Sequence, residues 1–267
     1  RARCPVSARG KRAAPVVEAV TTAPDLRLGR WQDALDGVTC DAVIVDPPYG
    51  ARTHAGDPVK TGVGHDGAYR TAIDYACWTP ADVAEFVGSW ATRTRCWIVA
   101  MTSHDLIPSW ESAFDAEDWQ SFAPVSAVIA GMGVRLLGDG PASWTVHVVV
   151  ARRRAKRLST VAGVKSIWRS LPGGYTGPAS PTMAGGRGKP SWLLDALVAD
   201  YSDPGMTVCD PCAGWGSTLV AAQRLGRCAI GAEVDPDAYA IAARRVRGNE
   251  ARPRPEQPSL FASLESP

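Results

Sequence analysis

The sequence has no apolar run that approaches the roughly 18 residues of a candidate membrane span. It also carries little net charge, since its 29 basic and 27 acidic residues leave a formal charge of +2. We therefore expect no membrane association, and no binding of nucleic acid through a basic field that covers the whole surface. Any contact with nucleic acid must come from local clusters of Arg and Lys.

Metal-binding spacings are missing as well. Cys209 and Cys212 form a C-x-x-C, but no second Cys or His pair with zinc spacing accompanies them, so we expect no metal ion. The seven cysteines are an odd number, stand mostly in apolar runs and follow no secretory signal. These features are typical of reduced thiols and favour a cytoplasmic protein.

Apolar segments with strand character alternate with helical segments between residues 26 and 248, as where Thr79 and Pro80 start a helix. The alternation predicts one α/β domain with a doubly wound, mostly parallel sheet, whose ligands bind at the carboxyl ends of the strands. The segment from Ser143 to Arg153 alternates apolar and polar residues, which favours an antiparallel or edge strand.

Four segments depart from this alternation. Residues 1–25 are basic and rich in Ala and Pro and predict a flexible arm, while residues 249–267 predict a disordered tail. Residues 51–75 contain many Gly and polar residues and predict a long mobile loop. Residues 152–188, which begin with RRRAKR and continue with Gly, Pro and Ser, predict a small irregular insertion in the α/β domain.

The first chemically informative loop is Asp46-Pro47-Pro48-Tyr49, which follows the apolar strand AVIV. Proline fixes φ and has no N–H, so the loop is rigid and presents the Pro47 carbonyl outward. A carboxylate and a fixed carbonyl that each accept an N–H bond draw the lone pair of an exocyclic base amine out of conjugation. The Tyr49 ring offers a face for an unstacked base. The alternative is that the prolines only stiffen the end of the strand and that Tyr49 packs against the protein.

A second loop, DPCAGWGS, runs from Asp210 to Ser217 between a strand and a helix. Its glycines let the backbone approach a ligand closely, and helix N–H groups point at that ligand. Glu233 ends the next strand, where a carboxylate accepts hydrogen bonds from ribose hydroxyls. The third glycine of a dinucleotide motif is missing, which disfavours NAD. The pattern predicts a nucleoside-binding half-site, with Asp235 as the cap of the helix that follows.

These two loops, with K-P-x-x-L-L between them, resemble the motifs of the β-class amino-methyltransferases of DNA and occur in the same order. The family is found in bacteria and phages. The resemblance spans about residues 26–246. It implies the Rossmann-like fold of S-adenosylmethionine-dependent methyltransferases, S-adenosylmethionine as the cofactor and DNA as the substrate. It favours N6 of adenine over N4 of cytosine as the target, because cytosine enzymes more often have Ser in place of Asp46.

The resemblance also assigns residues. Asp46, Pro47, Pro48 and Tyr49 would handle the base, and the implied cofactor contacts are Asp210, Pro211, Cys212, Gly214, Gly216, Ser217, Glu233, Lys189, Pro190 and Asp33. Two of these stand where the sequence departs from the family. Asp33 is the nearest acid where Gly-Asp is common, and Lys189 follows Gly188 where members often have Gln. Lys189 is therefore either a contact of the methionine carboxylate or a solvated residue before a helix.

A basic run marks the start of the predicted insertion, where the β-class order places target recognition. The predicted DNA-binding residues are Arg152, Arg153, Arg154, Lys156 and Arg157, with Arg52 from the loop after Tyr49. Such a cluster can neutralise several phosphates, and the alternative is a solvated turn. Because the insertion is short, we expect a short or relaxed recognition sequence.

Near the end, Gln257-Pro258-Ser259-Leu260-Phe261 resembles the peptides by which bacterial polymerases and repair proteins dock on the sliding clamp. This resemblance predicts clamp binding through Gln257, Leu260 and Phe261. The alternative is that Leu260 and Phe261 fold back on the protein's own surface. A homodimer is a further predicted assembly.

A different class of function remains open at this stage. A catalytically silent protein could keep the fold and bind DNA or the clamp without transferring a methyl group. The intact Asp46 argues against that alternative, because a silent protein has no need of the carboxylate.

Overall fold

The computed structural model describes residues 23–56, 76–131, 134–135, 142–154, 164–179 and 188–250. The strands of this part of the chain are β1 (Asp25–Leu28), β2 (Cys40–Val45), β3 (Thr94–Thr102), β4 (Trp119–Ser121), β5 (Val125–Ala130), β6 (Val134–Arg135), β7 (Ala142–Ser143), β8 (Thr145–Arg153), β9 (Gly174–Pro178), β10 (Thr207–Asp210) and β11 (Cys228–Glu233). The helices are α1 (Trp31–Ala34), α2 (Ala51–Gly56), α3 (Pro80–Arg93), α4 (Ile107–Ala116), α5 (Lys165–Trp168), α6 (Ser191–Tyr201), α7 (Ser217–Arg224) and α8 (Pro236–Glu250).

One large sheet organises the fold. Its strand order is β1-β11-β10-β2-β3-β8-β5-β9. The short strand β4 also pairs with β8, outside this order. The first five strands of this order are parallel, whereas β8 runs antiparallel between β3 and β5. The predicted mostly parallel, Rossmann-like sheet is confirmed. The segment predicted as an antiparallel or edge strand forms β8, which is antiparallel and lies inside the sheet.

The sheet separates two apolar cores. Alternate residues of the central strands point to opposite faces, so Ala42 and Ile44 enter one core while Val43 and Val45 enter the other. Helices α6 and α7 cover the first face, and α3 and α4 cover the second. Helices on both faces make the sheet doubly wound and explain why β2 reads as a continuous apolar run.

Part of the segment predicted as an irregular insertion belongs to the main sheet instead. Within residues 164–179, β9 pairs in parallel with β5 from Gly174 to Pro178. Tyr175 is buried in this strand, and its hydroxyl donates to Asp200 Oδ2 at 2.9 Å. The Gly and Pro content of GYTGP suggested a loop, but an edge strand tolerates both residue types.

The predicted boundaries fall close to the observed elements. β1 begins at Asp25, the last residue of the predicted arm, and α8 continues to Glu250, two residues into the predicted tail. Residues 1–22, 57–75 and 251–267 lie outside the described residues, so the arm, most of the loop and the tail remain predictions. No helix within the described ranges is long and apolar enough to cross a membrane.

Candidate active site

The two predicted loops meet at one edge of the sheet, formed by the carboxyl ends of its parallel strands. β2 and β10 are neighbours and parallel, with Val208 beside Ala42 and Cys209 beside Val43, so both strands end at the same edge. From there the chain continues to β3 on one side and to β11 on the other. This reversal of direction is the topological switch point, at which open α/β sheets form their ligand crevice. The structure therefore brings Asp46 and Asp210 together across 164 positions of sequence.

The Asp46-Pro47-Pro48-Tyr49 loop is anchored just after Tyr49. The Tyr49 carbonyl accepts a hydrogen bond from Trp78 N–H at 3.1 Å, and Gly50 N–H donates to Ser103 Oγ at 2.9 Å. A side chain at Gly50 would clash with the Asp105 carboxylate, because a Cβ there would lie 2.4 Å from its Oδ2. The loop is thus held against the carboxyl end of β3.

Asp46 has a partner that the sequence did not predict. Lys189 Nζ donates to Asp46 Oδ2 at 2.5 Å, and the same ammonium lies 4.9 Å from the centroid of the Tyr49 ring. The other carboxylate oxygen, Asp46 Oδ1, is buried and has no hydrogen-bond partner within the described residues. The carboxylate therefore keeps one oxygen with unused acceptor capacity.

The loop from Asp210 to Ser217 contains two glycines in left-handed backbone conformations. Gly214 and Gly216 have φ of +52° and +73°, left-handed values that favour glycine. Ala213 N–H bonds the Ala232 carbonyl at 2.9 Å and ties the loop to β11. Arg245 of α8 donates to the Trp215 carbonyl at 2.6 Å and to Ser217 Oγ at 3.1 Å. Arg245 was not predicted, because nothing marks it within the helical pattern of α8.

Glu233 ends β11 beside this loop, as predicted. Its Oε2 accepts from Gly214 N–H at 2.6 Å and its Oε1 from Asp235 N–H at 2.8 Å. Each carboxylate oxygen can accept a further bond, so both remain able to take a hydroxyl donor. Two apolar side chains flank the carboxylate and are largely exposed, Leu28 by 52% and Val234 by 62%. The strand end thus combines an acceptor with an apolar surface.

Asp210 is the most strongly perturbed acid of the site. Burial raises the pKa of its carboxyl to about 7, and the charges of Asp46 and Glu233 act in the same direction. Hydrogen bonds from the Thr218 hydroxyl and Cys212 N–H act against this rise. Burial also raises the pKa of the Cys212 thiol, so that thiol is neutral. Three carboxyl groups therefore converge at the switch point, one of them partly protonated near neutral pH.

The other predicted cofactor residues lie around this edge. Pro211 follows Asp210 in the loop, and Pro190 is the N-cap residue of α6. Asp33 is exposed on α1, just beyond the end of β1, where Leu28 pairs with Glu233. Asp235 accepts from Asp237 N–H at 2.9 Å, which confirms its prediction as a helix cap.

The structure separates most of the predicted DNA-binding arginines from this edge. Because β8 is antiparallel to β3, Arg152 lies opposite Trp97 near the start of β3, whereas the loop from Asp46 to Tyr49 leaves the other end of the sheet. Arg153 donates to the carbonyls of Ala91 and Thr94 at the end of α3. Arg154 pairs with Asp115 and Asp118.

These contacts correct the interpretation of the basic run. Arg152, Arg153 and Arg154 bond to other groups of the fold at the edge away from the loop from Asp46 to Tyr49, and not beside that loop. Arg52 is exposed on α2, directly after the loop from Asp46 to Tyr49. Five predicted residues lie outside the described residues and stay predictions: Lys156, Arg157, Gln257, Leu260 and Phe261.

Ser103 and Asp105 were also missed. They directly follow β3, at the same edge as Asp46, and their polar side chains contact the backbone of Gly50 and Arg52. The signal was available, because polar residues that follow a buried parallel strand face the ligand edge. Burial alone would raise the pKa of the Asp105 carboxyl, but hydrogen bonds from Ser103, its own backbone and Arg52 lower it below the usual range.

An open α/β sheet with a glycine-rich loop and an acceptor carboxylate at its switch point defines a nucleoside-binding protein of the Rossmann-like class. Residues 186–244 match the model of the DNA methylase family N6_N4_Mtase. The matched segment contains Lys189, the loop from Asp210 to Ser217 and Glu233. No curated protein sequence matches the chain. By this segment the chain is similar to the N6/N4 DNA methylase family.

Several solved structures share the fold of this chain. M1.HpyAVI in complex with SAM is 15% identical with a TM-score of 0.59, and the match covers 83% of this chain and 98% of that one. TTHA0409 from Thermus thermophilus, a putative DNA modification methylase complexed with S-adenosyl-L-methionine, is 18% identical with a TM-score of 0.57 and coverages of 85% and 94%. The cytosine-N4-specific PvuII DNA methyltransferase is 13% identical with a TM-score of 0.57 and coverages of 84% and 86%.

Proposed function

We propose that this methyltransferase transfers a methyl group from S-adenosylmethionine to N6 of adenine in DNA, with Asp46 as the catalytic residue. The observation that carries the proposal is the state of the Asp46 carboxylate. It lies at the switch point next to the glycine-rich loop, with Oδ2 bonded to Lys189 and Oδ1 buried and without a partner in the described part of the chain. An acceptor held in this way is suited to an amino group that must lose conjugation with its ring.

The residues at the edge fit S-adenosylmethionine. Glu233 retains acceptor capacity on both oxygens for the two ribose hydroxyls, and the exposed Leu28 and Val234 provide apolar surface for the adenine ring. A Cβ at Gly214 would meet no atom within 4 Å, so the backbone there leaves room for the methionine portion beside Asp210. When bound, S-adenosylmethionine supplies an electrophilic methyl group on its sulfonium centre.

Asp46 and its loop supply the remaining chemistry. Asp46 Oδ1 accepts one N–H of the target amine and the Pro47 carbonyl accepts the other, which directs the nitrogen lone pair toward the methyl group. The carboxylate also stabilises the positive charge that develops on nitrogen and is the nearest acceptor for the proton released after transfer. Tyr49 supports the extruded base by stacking.

DNA approaches this edge of the sheet in our proposal. Because β8 is antiparallel, its first residues lie at the same edge as Asp46, and Trp144 immediately before β8 is 48% exposed. His104 and Arg52 are also exposed at this edge. An exposed tryptophan and hydrogen-bond donors beside a base-binding loop are suited to bases and phosphates.

The decisive experiment is mass spectrometry of nucleosides from unmodified DNA incubated with S-adenosylmethionine and the protein. We expect N6-methyladenine from the wild type, and a fall on the order of 10²- to 10³-fold for Asp46→Ala, the usual cost of one lost transition-state contact. Calorimetry should show that the variant still binds S-adenosylmethionine. No transfer by either protein would instead favour the silent DNA-binding alternative.

N4 of cytosine is the second candidate target. It is favoured by the likeness to the cytosine-N4-specific PvuII enzyme, which has the same fold. Its exocyclic amine poses the same chemical problem, and the same carboxylate would serve it. N4-methylcytosine without N6-methyladenine in the digest would decide for cytosine and against our first choice.

A further inference from the structure

We infer that Lys189 is a positioning residue for the catalytic carboxylate, which holds Asp46 so that Oδ1 faces the target amino group. The inference rests on the proposed function of Asp46. The contact itself is well defined, since Lys189 Nζ lies 2.5 Å from Asp46 Oδ2. Both side chains are partly shielded from water, with exposures of 17% for Lys189 and 30% for Asp46. Charge-assisted hydrogen bonds of this length are the strong ones.

The backbone that carries Lys189 is rigid. Pro190 follows directly and is the N-cap residue of α6 with φ of −59°, and a residue before proline is confined to extended conformations. The Pro190 carbonyl accepts from Leu193 and Leu194, whose side chains are buried against the sheet. The packing of α6 therefore sets the position of Lys189.

Fixing Oδ2 also fixes Oδ1. A carboxylate turns about one soft torsion, so a bond that holds one oxygen determines where the other lies. Oδ1 is the buried oxygen without a partner among the described residues. Lys189 thus keeps Asp46 oriented.

The same ammonium defines how a base can use Tyr49. Its Nζ lies over the Tyr49 ring, 4.9 Å from the centroid, which is a cation–π distance. Lys189 therefore lies against one face of the ring. One cation thereby orders the two groups that would handle the base.

This role differs measurably from a contact with the methionine carboxylate. If Lys189 bound the cofactor, its loss would weaken S-adenosylmethionine binding and leave the rate at saturation nearly intact. If it positions Asp46, its loss lowers the saturated rate and leaves cofactor affinity nearly intact. The two roles thus separate in a comparison of binding with single-turnover kinetics.

The test uses Lys189→Met, Lys189→Arg and the control Lys165→Met, a lysine exposed on α5 near the far end of α6. Calorimetry gives the affinity for S-adenosylmethionine, and single turnovers at saturating DNA and cofactor give the rate. We expect Lys189→Met to lose about 100-fold in rate, the usual cost of a misplaced reacting group, with Lys189→Arg recovering part of it. An intact rate, or a loss of affinity alone, would overturn the inference.

A double-mutant cycle with Lys189→Met, Asp46→Ala and the double variant, measured by thermal unfolding, tests the contact independently of methyl transfer. We expect the double variant to differ from the sum of the single shifts in Tm, because each single change leaves the partner group unpaired. Additive shifts would refute the Lys189–Asp46 coupling. A wild type that methylates no DNA would refute the proposed function instead, so the two failures are distinct.

Discussion

The two ends of the central sheet use charged side chains in opposite ways. Where the parallel strands finish, three carboxyl groups converge, and Asp46 Oδ1 and both Glu233 oxygens keep acceptor capacity. At the other end, Arg153 and Arg154 are no less charged, but their guanidinium groups are bonded to carbonyls and carboxylates of the fold. The difference teaches that a ligand site is recognised by unused bonding capacity at the right edge, and not by charge alone.

The largest expected effect is at Asp210, and it concerns stability. Its carboxyl has a pKa of about 7 in the fold, against about 3.9 in an unfolded chain. Between these values the native state holds a proton that the unfolded state has lost, so wild-type stability falls as pH rises from about 4 to about 7. Asp210→Asn removes that cost and should stabilise the protein at pH 8 by up to about 4 kcal/mol.

Urea unfolding of wild type and Asp210→Asn at pH 4.5 and pH 8 measures this effect. The two free energies of unfolding should differ by about 1 kcal/mol at pH 4.5, and the difference should widen to its full size at pH 8. A variant that is no more stable than the wild type at pH 8 would show that ionisation of Asp210 does not destabilise the fold.

Arg153 should have the next largest effect, at the opposite end. Its guanidinium caps α3 by donating to the carbonyls of Ala91 and Thr94, and it lies 5.5 Å from the Trp119 ring. Arg153→Ala leaves these carbonyls unpaired and should cost about 2 to 3 kcal/mol of stability. Urea unfolding gives the loss, and methyl transfer measured well below the midpoint should be unchanged. A large fall in DNA affinity would contradict a purely structural role.

Glu233 tests the ligand edge directly. Glu233→Ala removes the acceptor for the ribose hydroxyls and should weaken S-adenosylmethionine binding by about 1 to 3 kcal/mol. Isothermal calorimetry measures the change, with Asp237→Ala, an exposed acid in the first turn of α8, as the control. Equal affinities for wild type and Glu233→Ala would remove Glu233 from the cofactor site.

Arg154 should have the smallest effect. Its ion pairs with Asp115 and Asp118 are partly exposed, since the Arg154 side chain is 36% accessible, so Arg154→Ala should change stability by less than about 1 kcal/mol. The salt dependence of DNA binding sharpens the comparison. If Arg154 contacted a phosphate, the slope of log affinity against log salt would fall by about one. We expect an unchanged slope.

Local patterns predicted the strands and loops that build the ligand edge. The apolar run before Asp46, the loop from Asp210 and the Thr79 capping box are each specified within a few residues, and the structure shows all three. The strand β9 was missed because its residues form no apolar pattern, and Tyr175 is its single buried side chain. Such a strand exists through its pairing with β5, which local sequence does not encode.

Long-range contacts explain the other differences. Lys189 and Asp46 are 143 positions apart and meet because α6 packs across the sheet, so no spacing rule could pair them. The direction of β8 explains why the basic run lies away from the loop from Asp46 to Tyr49. An antiparallel strand that starts at the ligand edge must end at the opposite one, and the alternation from Ser143 to Arg153 already indicated that direction.

The neighbours of β2 have a consequence for synthesis of the chain. β2 lies between β3 and β10, and Thr207 N–H bonds Asp41 Oδ2 across 166 positions, so β2 gains its second neighbour only when the last quarter of the protein has been made. Until then a strand buried on both faces presents an open row of backbone donors and acceptors, the feature through which chains pair with one another. Polypeptides cut before Thr207 should therefore aggregate or recruit chaperones, whereas the finished chain closes the gap with its own β10.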